Sequence, residues 1–430
     1  GDTINLASGA SQSGFGRTGT VDWDTTPKTA TFSAVSGNGY FVNTTAGVIT
    51  VNLPAGSAGA IVSIADYAGT FQTNNLTVSP NGSEKIGGST LDVILATKGQ
   101  SVTLVYVDGT EGWVTTADST ENVAGNPFIV ATGGTITCSG DDRIHTFTGP
   151  GTFTVSTAAI CAANNVVSYT VVAGGGGGGA GGGPSGGSGV AGGGAGAGGF
   201  REFKSPVTPY TASPLDGSTP ITVTATSFPI TIGGGGAGAN FSSSPLGSNG
   251  NNSIFSTITS TGGGGAAGWT VNNGSPGGSG GGSGQGTSVG DGNTPPVSPP
   301  QGNPGGATTP PNASGGGGGG ATAAGASGTP GPVPSVGGVG GAGATTSITG
   351  VAAGYAGGGG GGAGGDPPST PCTAQIGPAS QGGGTGGTLG APGVAGTTNT
   401  GGGGGGGGAN AGGNGGLGGS GIVIIRYKIQ

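Results

Sequence analysis

Methionine is absent from the 430 residues, histidine occurs once, cysteine three times, and charged residues make up 6% of the chain. Each shortage closes off a class of function. His145 is the sole imidazole, so a nucleophile–histidine–carboxylate device has one available base, and a strand position between Ile144 and Thr146 marks it as structural. With neither a CxxC pair nor a second histidine, no metal site is expected. Nine Lys+Arg against sixteen Asp+Glu give a net charge of −7 and no basic patch, so nucleic acid is not an expected partner. No segment approaches the roughly 20 consecutive apolar residues of a spanning helix, and no membrane insertion is expected. Lacking any methionine, the chain is expected not to begin translation at Gly1. Hydrophobic residues at 31% and aromatics at 5% can fill only small cores.

Glycine is what the chain has instead. Of 115 glycines, 92 follow Ala173, in runs such as 174–183, 192–199, 262–268 and 401–408. Flexible linkers share this composition, but they are usually kept solvated by charge. Here only Asp216, Asp291 and Asp366 carry a formal charge between Ser205 and Ile425, and the chain closes on the apolar run Ile422, Val423, Ile424, Ile425. Such a chain is built to return to something folded. Glycine can form polyproline-II rods, three residues per turn with about 3.1 Å rise, whose outward N–H and C=O groups are satisfied when rods pack side by side. Ordering a residue costs roughly 1–2 kcal/mol and a net hydrogen bond returns about 0.5–1.5, so the array needs anchoring by an apolar core. A Cβ would hold rods apart, so the pure run 401–408 is expected at the centre and the alanine-bearing runs 192–199 and 262–268 at the edge, with Gly404→Val disruptive and Ala267→Val tolerated.

The sequence thus predicts an all-β protein. Residues 1–19 form an N-terminal segment. Residues 20–118 alternate apolar and polar positions in short stretches separated by turn formers, the pattern of a β-sandwich-like module without helices. Residues 119–127 read as a linker. Residues 128–430 form one glycine-rich domain in which strands from 128–173 and 422–430 flank a bundle of polyglycine II rods and loops at 174–421. The closing GIVIIRYKI is expected to pair beside VVSYTVVA.

Few residues carry chemistry. The doublets Asp141/Asp142 and Asp22/Asp24 are most simply solvated turns rather than Ca²⁺ ligands or a glycosidase pair. No GxxxxGK[ST] occurs, so the glycine runs hold no phosphate loop. The sequons at Asn43, Asn75, Asn81, Asn240, Asn251 and Asn312 are expected by chance in so Ser/Thr/Asn-rich a chain. Cys138 and Cys161 flank RIHTFTGPGTFTV, read as a hairpin, and are the disulfide candidates. Cys372 would then be an odd thiol.

The ordered series HTFTGPGTFTV, YTVVAGGGGGG, GAGGFREFKSPVTPYTAS, SFPITIGGGGAG and GGSGIVIIRY resembles the glycine-rich carboxy-terminal domain of tail fibres and other virion proteins of tailed bacteriophages. GYFVNTTAGVITVNLP and QSVTLVYVDGTEGWV resemble a β module of phage structural proteins. The resemblance implies a virion protein without catalysis or cofactor. The leading expectation is a distal tail fibre whose C-terminal domain binds a host cell-surface receptor, protein or glycan, alongside other virion proteins and as a homotrimer. A non-adhesive fibre or capsid-decoration protein is the second expectation and a polysaccharide-cleaving fibre the third. On the first, Trp269, Tyr355, Tyr210, Asn272 and Asn273 contact the receptor; on the alternative, aromatics such as Trp269, Tyr210, Phe241 and Tyr355 anchor or cap the glycine lattice.

Overall fold

A computed structural model describes residues 21–118, 126–183, 189–243, 245–270, 273–308, 314–329, 336–364, 381–410 and 413–430. It divides into two units, Gly1–Pro127 and Phe128–Gln430.

In the first unit the chain alternates between two sheets. One holds Asp22–Lys28, Asn38–Val42, Ile61–Asp66, Ser101–Asp108 and Gly112–Asp118; the other holds Phe32–Ser33, Ile49–Asn52, Leu76–Ser79 and Val93–Leu95. The first three strands of each sheet run parallel, with Tyr40 opposite Ile64 in one and Val51 opposite Val78 in the other. Parallel neighbours need a long crossover, and here a strand of the opposite sheet supplies it where other folds use a helix. Alternation then points Val42, Val51, Val62, Ile64, Leu76, Val78 and Trp113 into one shared core. The sandwich expected from the pattern is present, wound as parallel coils before an antiparallel finish.

The second unit is also sheet on sheet. Val130–Thr132, Gly151–Thr157, Ser227–Thr231, Ser253–Phe255 and Ile258–Ser260 form one sheet. The other runs in the order Thr135–Ser139, Asp142–Phe147, Ile422–Lys428, Val166–Val172, Phe200–Phe203, with Ile221–Thr222 also pairing onto Val166–Val172. The closing strand does lie beside VVSYTVV, with Val171 opposite Val423 and Tyr169 opposite Ile425. Both central strands are buried on two faces, which is why they read as continuous apolar runs. Val167, Tyr169, Val171, Val423, Ile425 and Tyr427 face Phe153 and Phe255, while Val172, Ile422 and Ile424 face Phe200, Ile348 and Tyr355.

RIHTFTGPGTFTV is not a hairpin. Asp142–Phe147 and Gly151–Thr157 belong to different sheets, and the glycines between them turn the corner. Cys138 therefore sits on Thr135–Ser139 opposite Arg143, Cys161 precedes a short 3-10 turn, and both are free and exposed rather than disulfide-bonded. Nor is Asp142 a solvated turn residue: it is buried and paired with Arg426 at 2.7 Å.

Past Val172 the sheet gives way to rods. Along 174–181 the backbone donors cycle with a period of three: Gly174, Gly177 and Ala180 donate to the rod 245–251, Gly175, Gly178 and Gly181 to 413–421, and Gly176 and Gly179 to 190–199. The carbonyls cycle likewise, accepting from 262–268, 233–239 and 401–409. This is polyglycine II packing, one rod meeting a different neighbour in every donor and acceptor direction. Among the described residues of the rod block, positive φ falls where rods end or turn, as at Gly183, Gly286, Gly382 and Gly401.

The run 401–408 is interior, as expected: Gly403 and Gly406 donate to 356–364, Gly404 and Gly407 to 174–183, and Gly405 and Gly408 to 391–397. The edge assignment of the alanine-bearing runs is wrong. Residues 192–199 donate to 401–409, 262–268 and 314–321 and accept from 356–364, 173–179 and 279–282, with Ala195 and Ala197 at 0% exposure. Residues 262–268 are buried throughout, Ala266 and Ala267 included, so valine at 267 has no solvent to enter. Isolated methyls fit inside the block. Edge rods are marked instead by larger residues every third position: Asn414, Leu417 and Ser420 on one rod, Val336, Val339 and Ala342 on another. Rods with one inward side keep only that phase as glycine, such as Gly247 and Gly250, where a Cβ would meet the carbonyl oxygens of Gly177 and Gly174.

Candidate functional site at the far end of the rod block

Because Val166–Val172 runs into 174–183 and 413–421 runs back into Ile422–Lys428, the block has the sheets and one set of rod-to-rod connections at one end and a second set of connections at the other. Eight residues at about 3.1 Å each put that far end roughly 25 Å from the sheet.

Trp269 lies at this far end. It leaves the rod 262–268 and donates its backbone N–H to the Ala180 carbonyl at 3.0 Å. Gly182 lies against the indole so closely that a Cβ there would enter the ring. On another side Phe241 stacks on it, 6.1 Å between centroids and 29° between planes. The indole Nε1 is buried and has no hydrogen-bond partner among the described residues. Asn414 Oδ1 accepts the Phe241 N–H at 2.9 Å, which ties the 240–243 turn to the last edge rod. Asn273, just beyond, is exposed; Asn272 lies outside the described residues, as do Cys372 and Asn312. No side chain among the described far-end residues 182–183, 189–190, 239–243 and 268–270 is ionisable.

Tyr355 and Tyr210 are elsewhere. Both sit at the sheet end, Tyr355 only 6% exposed within the apolar cluster of Val172 and Ile424. The Tyr210 hydroxyl donates to Glu202 Oε1 at 3.3 Å, and its ring lies 5.3 Å from the Arg426 guanidinium carbon. Burial, with Glu202 nearby, pushes both phenols up, so they stay neutral. The five residues grouped by sequence therefore do not form one site: the structure separates a far-end pair, Trp269 and Asn273, from the buried Tyr355 and half-buried Tyr210 at the root. Trp269 is a half-buried cap with Gly182 and Phe241 against its indole, and Phe241 is half-buried too. The sequence signal for Phe241 was its place in a connection between two glycine rods.

His145 is buried with both nitrogens engaged, Nδ1 at 2.7 Å from the Gly133 carbonyl and Nε2 at 3.0 Å from the Tyr427 hydroxyl. Burial pushes its pKa down, so the ring is neutral. Among the described residues no group of three His, Cys, Asp or Glu could hold a metal ion, and no helix is long and apolar enough to cross a membrane.

The second unit is thus an all-β scaffold that carries a block of polyglycine II rods. Its chain belongs to the glycine-rich domain family, which matches residues 146–428. The match opens at the end of the strand Asp142–Phe147 and closes in Ile422–Lys428, so it takes in the described rods and the strands from Gly151 onward and leaves out Val130–Thr132 and Thr135–Ser139. Among curated proteins no sequence matches this chain.

Proposed function

We propose that this is a non-enzymatic structural protein of a bacteriophage virion, a tail fibre whose rod block holds receptor-contacting loops away from the rest of the chain. One observation supports this most: chain entry and exit are at the sheet end, while a separate set of turns, with Phe241, Trp269 and Asn273, lies at the far end of rods that are hydrogen-bonded along their length. Each interior rod is bonded to its neighbours at every residue, so the block is stiff, and its connections are free to vary without disturbing it. An uncharged tip with half-buried aromatics and exposed amides suits contact with a host surface, because Phe, Trp and Asn give area and hydrogen bonds at low entropy cost. Other virion proteins are the expected partners, a homotrimer the expected assembly and the virion the expected location.

The test uses purified full-length protein and host cells. Phe241→Ala with Asn273→Lys should reduce cell binding at least about tenfold, the loss of one or two hot-spot contacts, with thermal unfolding little changed. Undiminished binding by that variant sinks the tip assignment, and absence of any wild-type binding sinks adhesion. The covered faces of Trp269 favour a second reading, a non-adhesive fibre or decoration protein in which the far end is only closed off. On that reading antibody-labelled virions carry the protein while isolated protein ignores cells. Light scattering of intact protein decides the trimer.

A further inference from the structure

On the face of the six-stranded sheet away from Phe153, three side chains of charged type are buried together: Asp142 at 0%, Glu202 at 3% and Arg426 at 3% exposure. Arg426 is committed. Its Nε donates to Asp142 Oδ2 at 2.7 Å and its NH1 to the Ile348 carbonyl at 3.1 Å. Glu202 is left with neutral donors: the Ser213 N–H at 2.8 Å on Oε2, and the hydroxyls of Thr346 and Tyr210 on Oε1. Among the described residues no cation forms an ion pair with it. Two carboxylates and one guanidinium leave one negative charge in excess where water is shut out, and an uncompensated buried charge is strongly unfavourable. A proton on Glu202 removes it. Neutral Glu202 loses no partner, since its hydroxyl can donate to Thr346 Oγ1, which also serves as acceptor, while Oε2 keeps the Ser213 N–H.

The other titratable groups nearby do not alter this count. Tyr210 lies between Glu202 and Arg426. Lys204 Nζ stands 5.7 Å from the Tyr210 ring centroid, and Asp216 accepts the Lys204 backbone N–H at 2.8 Å. Tyr355 comes from the hairpin Ala344–Thr346/Ala353–Tyr355, and Arg201 precedes Glu202 in the strand.

We propose that Glu202 is a proton-operated latch at the root of the rods: protonated, it ties the 205–215 loop and the 344–355 hairpin to the sheet, and ionised, it loosens them. Both segments continue directly from rods, the loop from 190–199 by way of Phe200–Phe203 and the hairpin into 356–364, so the latch sets how firmly two rods are rooted. Burial pushes the Glu202 carboxyl above its ordinary value of 4.5, against the lowering effect of its hydrogen bonds. A carboxyl with a raised folded-state pKa binds more protons folded than unfolded. Its stabilising effect is full below 4.5 and is lost as pH rises through the folded value.

Hydrogen exchange of the whole protein, from about pH 5 to about pH 9 and corrected for intrinsic rates, reads this directly. Protection in peptides covering 205–215 and 344–355 should fall about tenfold for each pH unit between 5 and the folded pKa, then level off. Glu202→Gln should hold the low-pH protection throughout. Thr346→Val, which removes a donor to the carboxylate, should enlarge the fall and keeps the test open should the glutamine variant fail to fold. A flat wild-type profile, an unchanged slope in Glu202→Gln, or a smaller fall in Thr346→Val overturns the latch. So does an equal fall in the interior run 401–408, which would make the change global.

Discussion

In residues 21–118 the buried positions include Val42, Val62, Ile64, Leu76 and Trp113; in 401–409 they are eight glycines and an alanine. Both regions exclude water, and they do it with opposite chemistry. The sandwich brings its sheets together because apolar side chains leave water, at roughly 25 cal/mol per Å², and its backbone is satisfied along the strands as a consequence. The rods have no side chains to bury. Their backbone is itself the contact surface, and a net hydrogen bond worth about 0.5–1.5 kcal/mol roughly balances the 1–2 kcal/mol of ordering each residue. A block of this kind is stable only where something else holds it in register. Here that is Val166–Val172 and Ile422–Lys428, buried on both faces and continuous in the chain with the rods 174–183 and 413–421.

The sharpest way to break the comparison is to remove the anchor. A chain ending at Ser420 loses the central strand of the six-stranded sheet and Arg426 with it, leaving Asp142 buried and unpaired. Glycine-run peptides should then exchange at unprotected rates, while the first unit, with its own core, keeps its unfolding transition.

Smaller effects separate the two kinds of interior. Gly404→Val drives a side chain into the carbonyl oxygens of Gly416 and Leu417 and should cost more than about 4 kcal/mol, because backbone on every side cannot repack as a side-chain core does. Ala267→Val, in a position that already holds a methyl, should cost about 1–3 kcal/mol. Leu417→Ser, on the outward phase of an edge rod at 59% exposure, should stay within about 0.5 kcal/mol. Thermal unfolding of the three variants checks the order, and equal effects would mean the rods are not distinguished by phase.

The smallest effect is in the sheets. The His145 pKa is depressed by burial, so the unfolded chain binds the extra proton first. Stability is full above the ordinary value of 6.5 and is lost as pH falls through the folded value. This is the reverse of Glu202, whose contribution is lost on the alkaline side. His145→Gln should flatten the acid limb of a denaturant-midpoint profile and leave the alkaline limb alone.

Much of the fold could be read in the sequence because its signals are local. Alternation in ITVN and LTVS marks half-buried strands, the unbroken apolar run of IVII marks one buried on both faces, and a glycine run with neither charge nor side chain can be held together only by backbone hydrogen bonds. The three-residue spacing of Asn414, Leu417 and Ser420, or of Val336, Val339 and Ala342, was equally local and identifies edge rods; the presence of alanine does not. The site was less legible. Tyr210, Tyr355 and Trp269 are all aromatics beside glycine, and nothing in that composition says which end of a rod each occupies.

Composition and spacing by themselves determined that the protein is all-β, that its second half is a backbone-bonded array, and how many sides of each rod face inward, since three residues per turn turn spacing into direction. Only the tertiary structure decided which rods are neighbours, because every glycine offers the same N–H and C=O to any partner. It also decided that Cys138 and Cys161 lie apart, since a corner between sheets and a hairpin are spelled with the same glycines. And it brought Asp142, Glu202 and Arg426, up to 284 residues apart in the chain, onto one buried face: a charge balance depends on distance in space, which no local pattern records.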